Sequence, residues 1–147
     1  MGLAERRSQK KFEEGSFVEL KKEINNIIGS EIEFDVKWET IALVDDWSHL
    51  FDEAWTNQYF KTLIGALNEI AIDEMGKEAL QESLKKVVIQ NTKGNYIAQN
   101  LASFKDNTLT LDHEPFTNIP DPGFQGKGDI RYEERVDAIV DVLEKNL

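Results

Sequence analysis

A chain of 147 residues with a formal net charge of −11 and no cysteine has room for one core, but cannot build a disulfide, a thiolate metal site or a thiol nucleophile. No apolar run reaches the roughly 20 residues that cross a bilayer, and 28 acidic against 17 basic side chains disfavour a reader of nucleic-acid phosphates. Together these features predict a single cytoplasmic domain that works without a cofactor and meets a protein rather than a membrane or a nucleic acid, although strong net charge also serves solubility alone.

The opening "MGLAERRSQKK" is basic and leads into no apolar stretch, so it does not read as a secretory signal. Arg6 stands where an N-myristoylation pattern needs serine or threonine. Residues 1–15 are expected to form a flexible N-terminal tail or a short, loosely held helix, with Phe12 as one candidate anchor, ahead of a compact domain over 16–147. "SFVELKKEINNIIG" then carries a complete helix signal. Ser16 and Glu19 have the spacing of a capping box, Phe17, Leu20, Ile24 and Ile27 form one stripe, and Gly29 suits the left-handed end.

"EIEFDVKWE" switches to period two. Ile32, Phe34, Val36 and Trp38 point one way, and Glu31, Glu33, Asp35, Lys37 and Glu39 the other, as in a half-buried strand with a charged outer face. After "IALV" a long helical segment follows, with Trp55, Tyr59, Leu63, Leu67 and Ala71 recurring in four-residue steps and Phe60, Ile64 and Ile70 widening the stripe. Asp73 is placed to cap a second helix, after a bend near 72–76. "KVVIQN", parts of "YIAQNLASF", and "TLTLDHE" read as three short strands separated by the turns "TKGN" and "KDN", with Leu109 and Leu111 inward. All three prolines lie in "PFTNIPDPGFQGKGD", which predicts a long loop over 115–128. Within it "GFQGKGD" fits neither glycine-rich phosphate pattern, and Asp129 would repel an anion there. A closing helix follows Asp129, its stripe made of Tyr132, Val136, Ile139, Val140 and Leu143.

This order, helix-strand-helix-helix-strand-strand-strand-helix, predicts an α+β fold with a four-stranded antiparallel or mixed sheet. Because the first strand carries a charged face, the helices should cover mainly the other face of the sheet.

Two places attract a chemical reading. "DDWSHLFDEAW" gathers Asp45, Asp46, His49, Asp52 and Glu53 within about a turn of one another on a helix, a spacing at which imidazole and carboxylates can hold a divalent metal. The same acids also suit the positive end of a helix, with Trp47, Leu50, Phe51 and Trp55 turned to the core. "LDHEP" places Asp112, His113 and Glu114 at a strand end ahead of the long loop. Alternation puts Asp112 and Glu114 on one face and His113 on the other. If His49 and His113 met, they and neighbouring carboxylates would make a metal-dependent hydrolase.

Residues 31–60 hold eight acids against Lys37 alone, a local sum of −7. The leading expectation is therefore a small acidic protein-binding or inhibitory module that neutralises a basic protein partner. Its surface would join Glu31, Glu33 and Asp35 to Asp45, Asp46, Trp47, Phe51, Asp52 and Glu53, an apolar centre with a charged rim.

Overall fold

The computed structural model of the chain describes residues 1–43, 49–115 and 130–147. The loop reading over 115–128, "GFQGKGD" and the Asp129 cap therefore lie outside the described residues, apart from Pro115.

Two helices open the chain, α1 (Leu3–Glu14) and α2 (Ser16–Ile28), joined at Gly15. Of the two readings of the N-terminal segment, the structure has the helix: Leu3–Glu14 is helical and the anchor Phe12 is 1% exposed. One anchor suffices because Phe12 enters an aromatic cluster, its ring centroid 5.2 Å from Trp55, 5.8 Å from Trp38, 5.9 Å from Phe60 and 6.0 Å from Phe17. In α2, Phe17, Leu20 and Ile24 are buried as the spacing predicts, and Ile28 completes the stripe. Gly29 takes the left-handed conformation at φ 83° and ends the helix. The capping box does not form. Because α1 runs almost directly into α2, Gly15 takes the N-cap position and Ser16 is already helical; its hydroxyl donates instead to Asp52 Oδ2 at 2.6 Å.

Strand β1 (Glu33–Val36) is shorter than the alternating segment that contains it. Trp38–Thr40 winds into a 3₁₀ turn, and Trp38 packs against Phe12, Phe17 and Trp55. The remaining strands are β2 (Lys86–Gln90), β3 (Ala102–Lys105) and β4 (Thr108–Asp112), and the sheet order is β1-β2-β4-β3. The sheet is mixed. β1–β2 and β2–β4 are parallel and β3–β4 is antiparallel. Parallel pairing of β1 with β2 follows from the helical crossover between them, since neighbouring parallel strands need a long connection. Among the described residues only β3 and β4 form a tight hairpin, turning at Asp106 and Asn107 with φ of 53° and 62°. Those two positive angles in a two-residue link are what an aspartate–asparagine pair tolerates.

The crossover contains α3 (Phe51–Trp55), a π-helical turn at Thr56–Phe60, α4 (Lys61–Ile70) and α5 (Glu74–Ser83). The π turn answers the four-residue spacing of the apolar stripe. In a regular α-helix a step of four residues overshoots one turn by about 40°, so a strict repeat drifts off the core face. One wider turn corrects the drift, and Trp55, Tyr59, Phe60, Leu63 and Leu67 are all fully buried. At the next joint Asp73 caps α5 as predicted, accepting from the Gly76 amide at 2.8 Å. Gly76 is required there, because a Cβ would lie 1.7 Å from the Ile70 carbonyl oxygen.

Val87, Ile89, Leu109 and Leu111 point inward and are fully buried, while Lys86, Val88, Thr108 and Thr110 occupy the outer face. The helices therefore cover one face, as the charged side of β1 predicts. The last helix, α6 (Ile130–Asn146), contacts α4 and β3 and buries Val136, Ile139, Val140 and Leu143. Among the described residues no helix is long and apolar enough to cross a membrane.

Candidate functional site

The acidic surface read from the sequence divides in the fold. Glu33 and Asp35 lie on the outer face of the sheet and are met there by lysines. Lys86 Nζ is 3.2 Å from Glu33 and 3.9 Å from Asp35, and Lys37 Nζ is 2.8 Å from Asp35. Lys86 arrives from β2, where parallel register sets it opposite Glu33. The hydrogen bond and the charge of Asp35 hold the Lys37 ammonium above its ordinary pKa. Glu31 is exposed just before the strand.

Phe51 is not a surface residue. It is 1% exposed, with its ring 4.5 Å from that of Trp55, because the apolar side of α3 closes on the aromatic cluster. Asp45, Asp46 and Trp47 lie outside the described residues. His49, Asp52 and Glu53 are exposed. Asp52 is held at the α1–α2 elbow by the Ser16 hydroxyl. Trp38 is half-buried at this corner and is followed by exposed Glu39. The exposed acids of these two segments are thus close in sequence to the rings of one aromatic cluster, drawn from α1, α2, α3 and the 3₁₀ turn.

The second region forms where β4 ends. Asp112 is consumed by the turn after β2. Its Oδ1 accepts from the Thr92 amide at 2.9 Å, and its Oδ2 from Thr92 Oγ1 at 2.5 Å and Gln90 Nε2 at 3.1 Å. Partial burial opposes its charge, but these bonds and the nearby Lys93 outweigh that effect and hold its pKa below the usual carboxylate value. His113 is 2% exposed and stacks on Tyr59, ring centroids 4.3 Å apart. The Tyr59 hydroxyl donates to the His113 carbonyl at 2.8 Å, and His113 Nδ1 lies 3.0 Å from the Glu114 carbonyl oxygen. A carbonyl can only accept, so Nδ1 carries the hydrogen and Nε2 the lone pair. Burial, reinforced by the positive charge of Arg135, pushes the His113 pKa down to about 3. The ring is therefore neutral at ordinary pH.

Glu114 and Arg135 are also buried, at 8% and 5% exposure. Burial lowers the Arg135 pKa and the Glu114 charge opposes that lowering, so the two act as counter-charges. Burial, followed by the charge of Glu114, raises the Tyr59 pKa well above its ordinary value. The Glu114 amide donates to the Asn95 carbonyl at 2.9 Å, which pins the β2–β3 connection to the end of β4.

Two candidate residues thus change role. His113 and Asp112 are read from the sequence as displayed groups, and the fold uses them to close the sheet end. The described residues bring no three histidine, aspartate or glutamate side chains into a metal-holding group, so His49, His113 and their neighbouring carboxylates do not assemble one among them. Arg135 and Tyr59 are partners that the sequence reading missed. Tyr59 sits within an apolar stripe and reads there as core, and Arg135 precedes Val136 with nothing local to mark it as buried. Comparison of the chain with known proteins finds no family model, no curated protein and no solved structure that matches it.

Proposed function

We propose that the chain is a protein-binding module whose contact surface is the corner where the α1–α2 elbow, the Trp38–Thr40 turn and α3 meet, and that its partner is a basic protein. The observation that carries this reading is that exposed Glu39 follows half-buried Trp38 and exposed Asp52 and Glu53 lie between Phe51 and Trp55, on two segments whose rings pack in one cluster. An aromatic centre with a charged rim suits an interface, in which the aromatic supplies affinity and the rim supplies orientation and association rate. The Ser16–Asp52 bond supports it further, because a carboxylate already fixed in place loses little freedom on binding. Glu33 and Asp35 contribute less to this surface, since Lys86 and Lys37 already meet their charge.

The test is capture of a basic partner from extract, followed by titration of the purified pair. Reversal of charge in the Asp52→Lys, Glu53→Lys double variant should weaken binding by about tenfold or more and flatten its salt dependence. Glu33→Lys should change affinity by no more than about twofold. Affinity that ignores both salt and the double reversal overturns the reading.

A further inference from the structure

Residues 91–101 connect β2 to the β3 edge and enclose an open groove of about 640 Å³. Five of its lining residues, Lys93, Asn95, Tyr96, Gln99 and Asn100, carry polar or aromatic side chains. In a chain with 28 acidic residues, no residue lining this groove is acidic. Tyr96 is 70% exposed, so the core does not account for its ring.

The connection that presents the ring is tied down. Asn91 Oδ1 accepts from the Gly94 amide at 3.0 Å, and Asn95 Oδ1 from the Ile97 amide at 3.1 Å. The Asn95 carbonyl accepts from the Glu114 amide at 2.9 Å, and Asp112 holds Thr92 by both its amide and its hydroxyl. Because the Ile97 amide already occupies Asn95 Oδ1, the Asn95 NH₂ remains as a donor at this lining residue.

We propose that this groove binds a saccharide. A flat, exposed aromatic face matches the C–H face of a pyranose ring, which is apolar on that side and polar around its edge. Hydroxyls both donate and accept, and so do the carboxamides of Asn95, Gln99 and Asn100; a wall of carboxylates would only accept and a wall of lysines only donate. The volume lies within the roughly 300–1,000 Å³ of small-ligand sites. A loop already held by side-chain-to-backbone bonds avoids much of the ordering cost of binding. Lys93 adds one cation at the rim, which strengthens binding of a sugar acid relative to a neutral sugar.

The proposal is tested on the full chain by following backbone amide resonances during titration with maltotriose, cellotriose and trigalacturonate at millimolar concentration. The expected result is that at least one of these sugars shifts resonances confined to residues 93–102. Tyr96→Ala should weaken that binding about tenfold. Asn100→Ala, at a second exposed position, should weaken it without disturbing the rest of the spectrum. The proposal is overturned if none of the three sugars shifts those resonances. It is equally overturned if binding survives both substitutions, or if an uncharged tetrapeptide shifts the same resonances with equal affinity.

Discussion

Acidification should destabilise this protein through His113, and the size of the effect follows from its burial. An unfolded histidine titrates near 6.5, whereas His113 in the fold titrates at about 3, chiefly because burial opposes its charge and Arg135 adds to that opposition. Asp112 pulls the other way, and Tyr59 beneath the ring stays neutral. Since the folded pKa lies below the unfolded one, the unfolded chain takes the proton first. The stabilisation is complete above about pH 6.5 and declines as pH falls, with the loss complete near pH 3. At about 1.4 kcal/mol per tenfold, the loss attributable to this one ring is about 2 kcal/mol at pH 5, with a ceiling of about 5 kcal/mol. The assay is urea unfolding of the wild type and His113→Asn at pH 7, 6 and 5. Asparagine keeps a donor near the Nδ1 position but does not titrate, so carboxylates common to both proteins cancel in the difference. His113→Asn should be less stable than wild type at pH 7, and the gap should narrow by about 2 kcal/mol at pH 5. A gap that stays constant with pH would refute the reasoning, because it would place the imidazole in contact with water.

Two further substitutions test the frame around the candidate sites. Phe12→Ala should cost about 3–5 kcal/mol and lower the melting temperature measured by circular dichroism, because the ring is enclosed by Phe17, Trp38, Trp55 and Phe60; a loss below about 1 kcal/mol would mean that α1 does not belong to the core. Asp112→Ala removes the acceptor for the Thr92 amide, the Thr92 hydroxyl and the Gln90 carboxamide. It should cost about 1–3 kcal/mol and speed hydrogen exchange at the Thr92 amide, and unchanged exchange there would show that the turn holds itself.

The parts of the fold legible in the sequence are those in which one residue pattern repeats over several turns or strand pairs. In α2 the spacing of Phe17, Leu20 and Ile24 samples the helical period, and Gly29 marks its end. The inward parity of Leu109 and Leu111 is equally local. α1 is only weakly marked in the sequence, as one of two readings, because a helix with one buried side chain carries no stripe and the partners of Phe12 at Trp38 and Trp55 are remote in sequence. Strand direction was hidden for a different reason. A period of two determines which face a side chain takes but not which neighbour the strand joins, so the parallel pairing of β2 with β1 and β4 had no local signature. The four-residue recurrence from Trp55 to Leu67 was visible, and its mismatch with a regular helix already contained the π turn.

Charge was the least legible property, because neutralisation is tertiary. Counting along residues 31–60 finds Lys37 as the only cation, yet the sheet brings Lys86 across to Glu33 and Asp35. A run of acids in sequence is therefore a weak guide to a negative field wherever a neighbouring strand supplies the counter-ion. Among the described residues the acids of α3 meet no such strand; Asp52 instead accepts a hydrogen bond from the neutral Ser16 hydroxyl, which orients the carboxylate without adding a counter-charge. His113 makes the complementary point. The parity that turns Leu109 and Leu111 inward also points His113 inward, and stacking on Tyr59 completes its burial, whereas Asp112 and Glu114 are buried on the other parity. Its neutrality follows from that burial, because a charged imidazole there would have to be desolvated beside Arg135. A histidine on the inward parity of a strand is thus a packing element first, and its neutrality is a property of the core rather than of a displayed site.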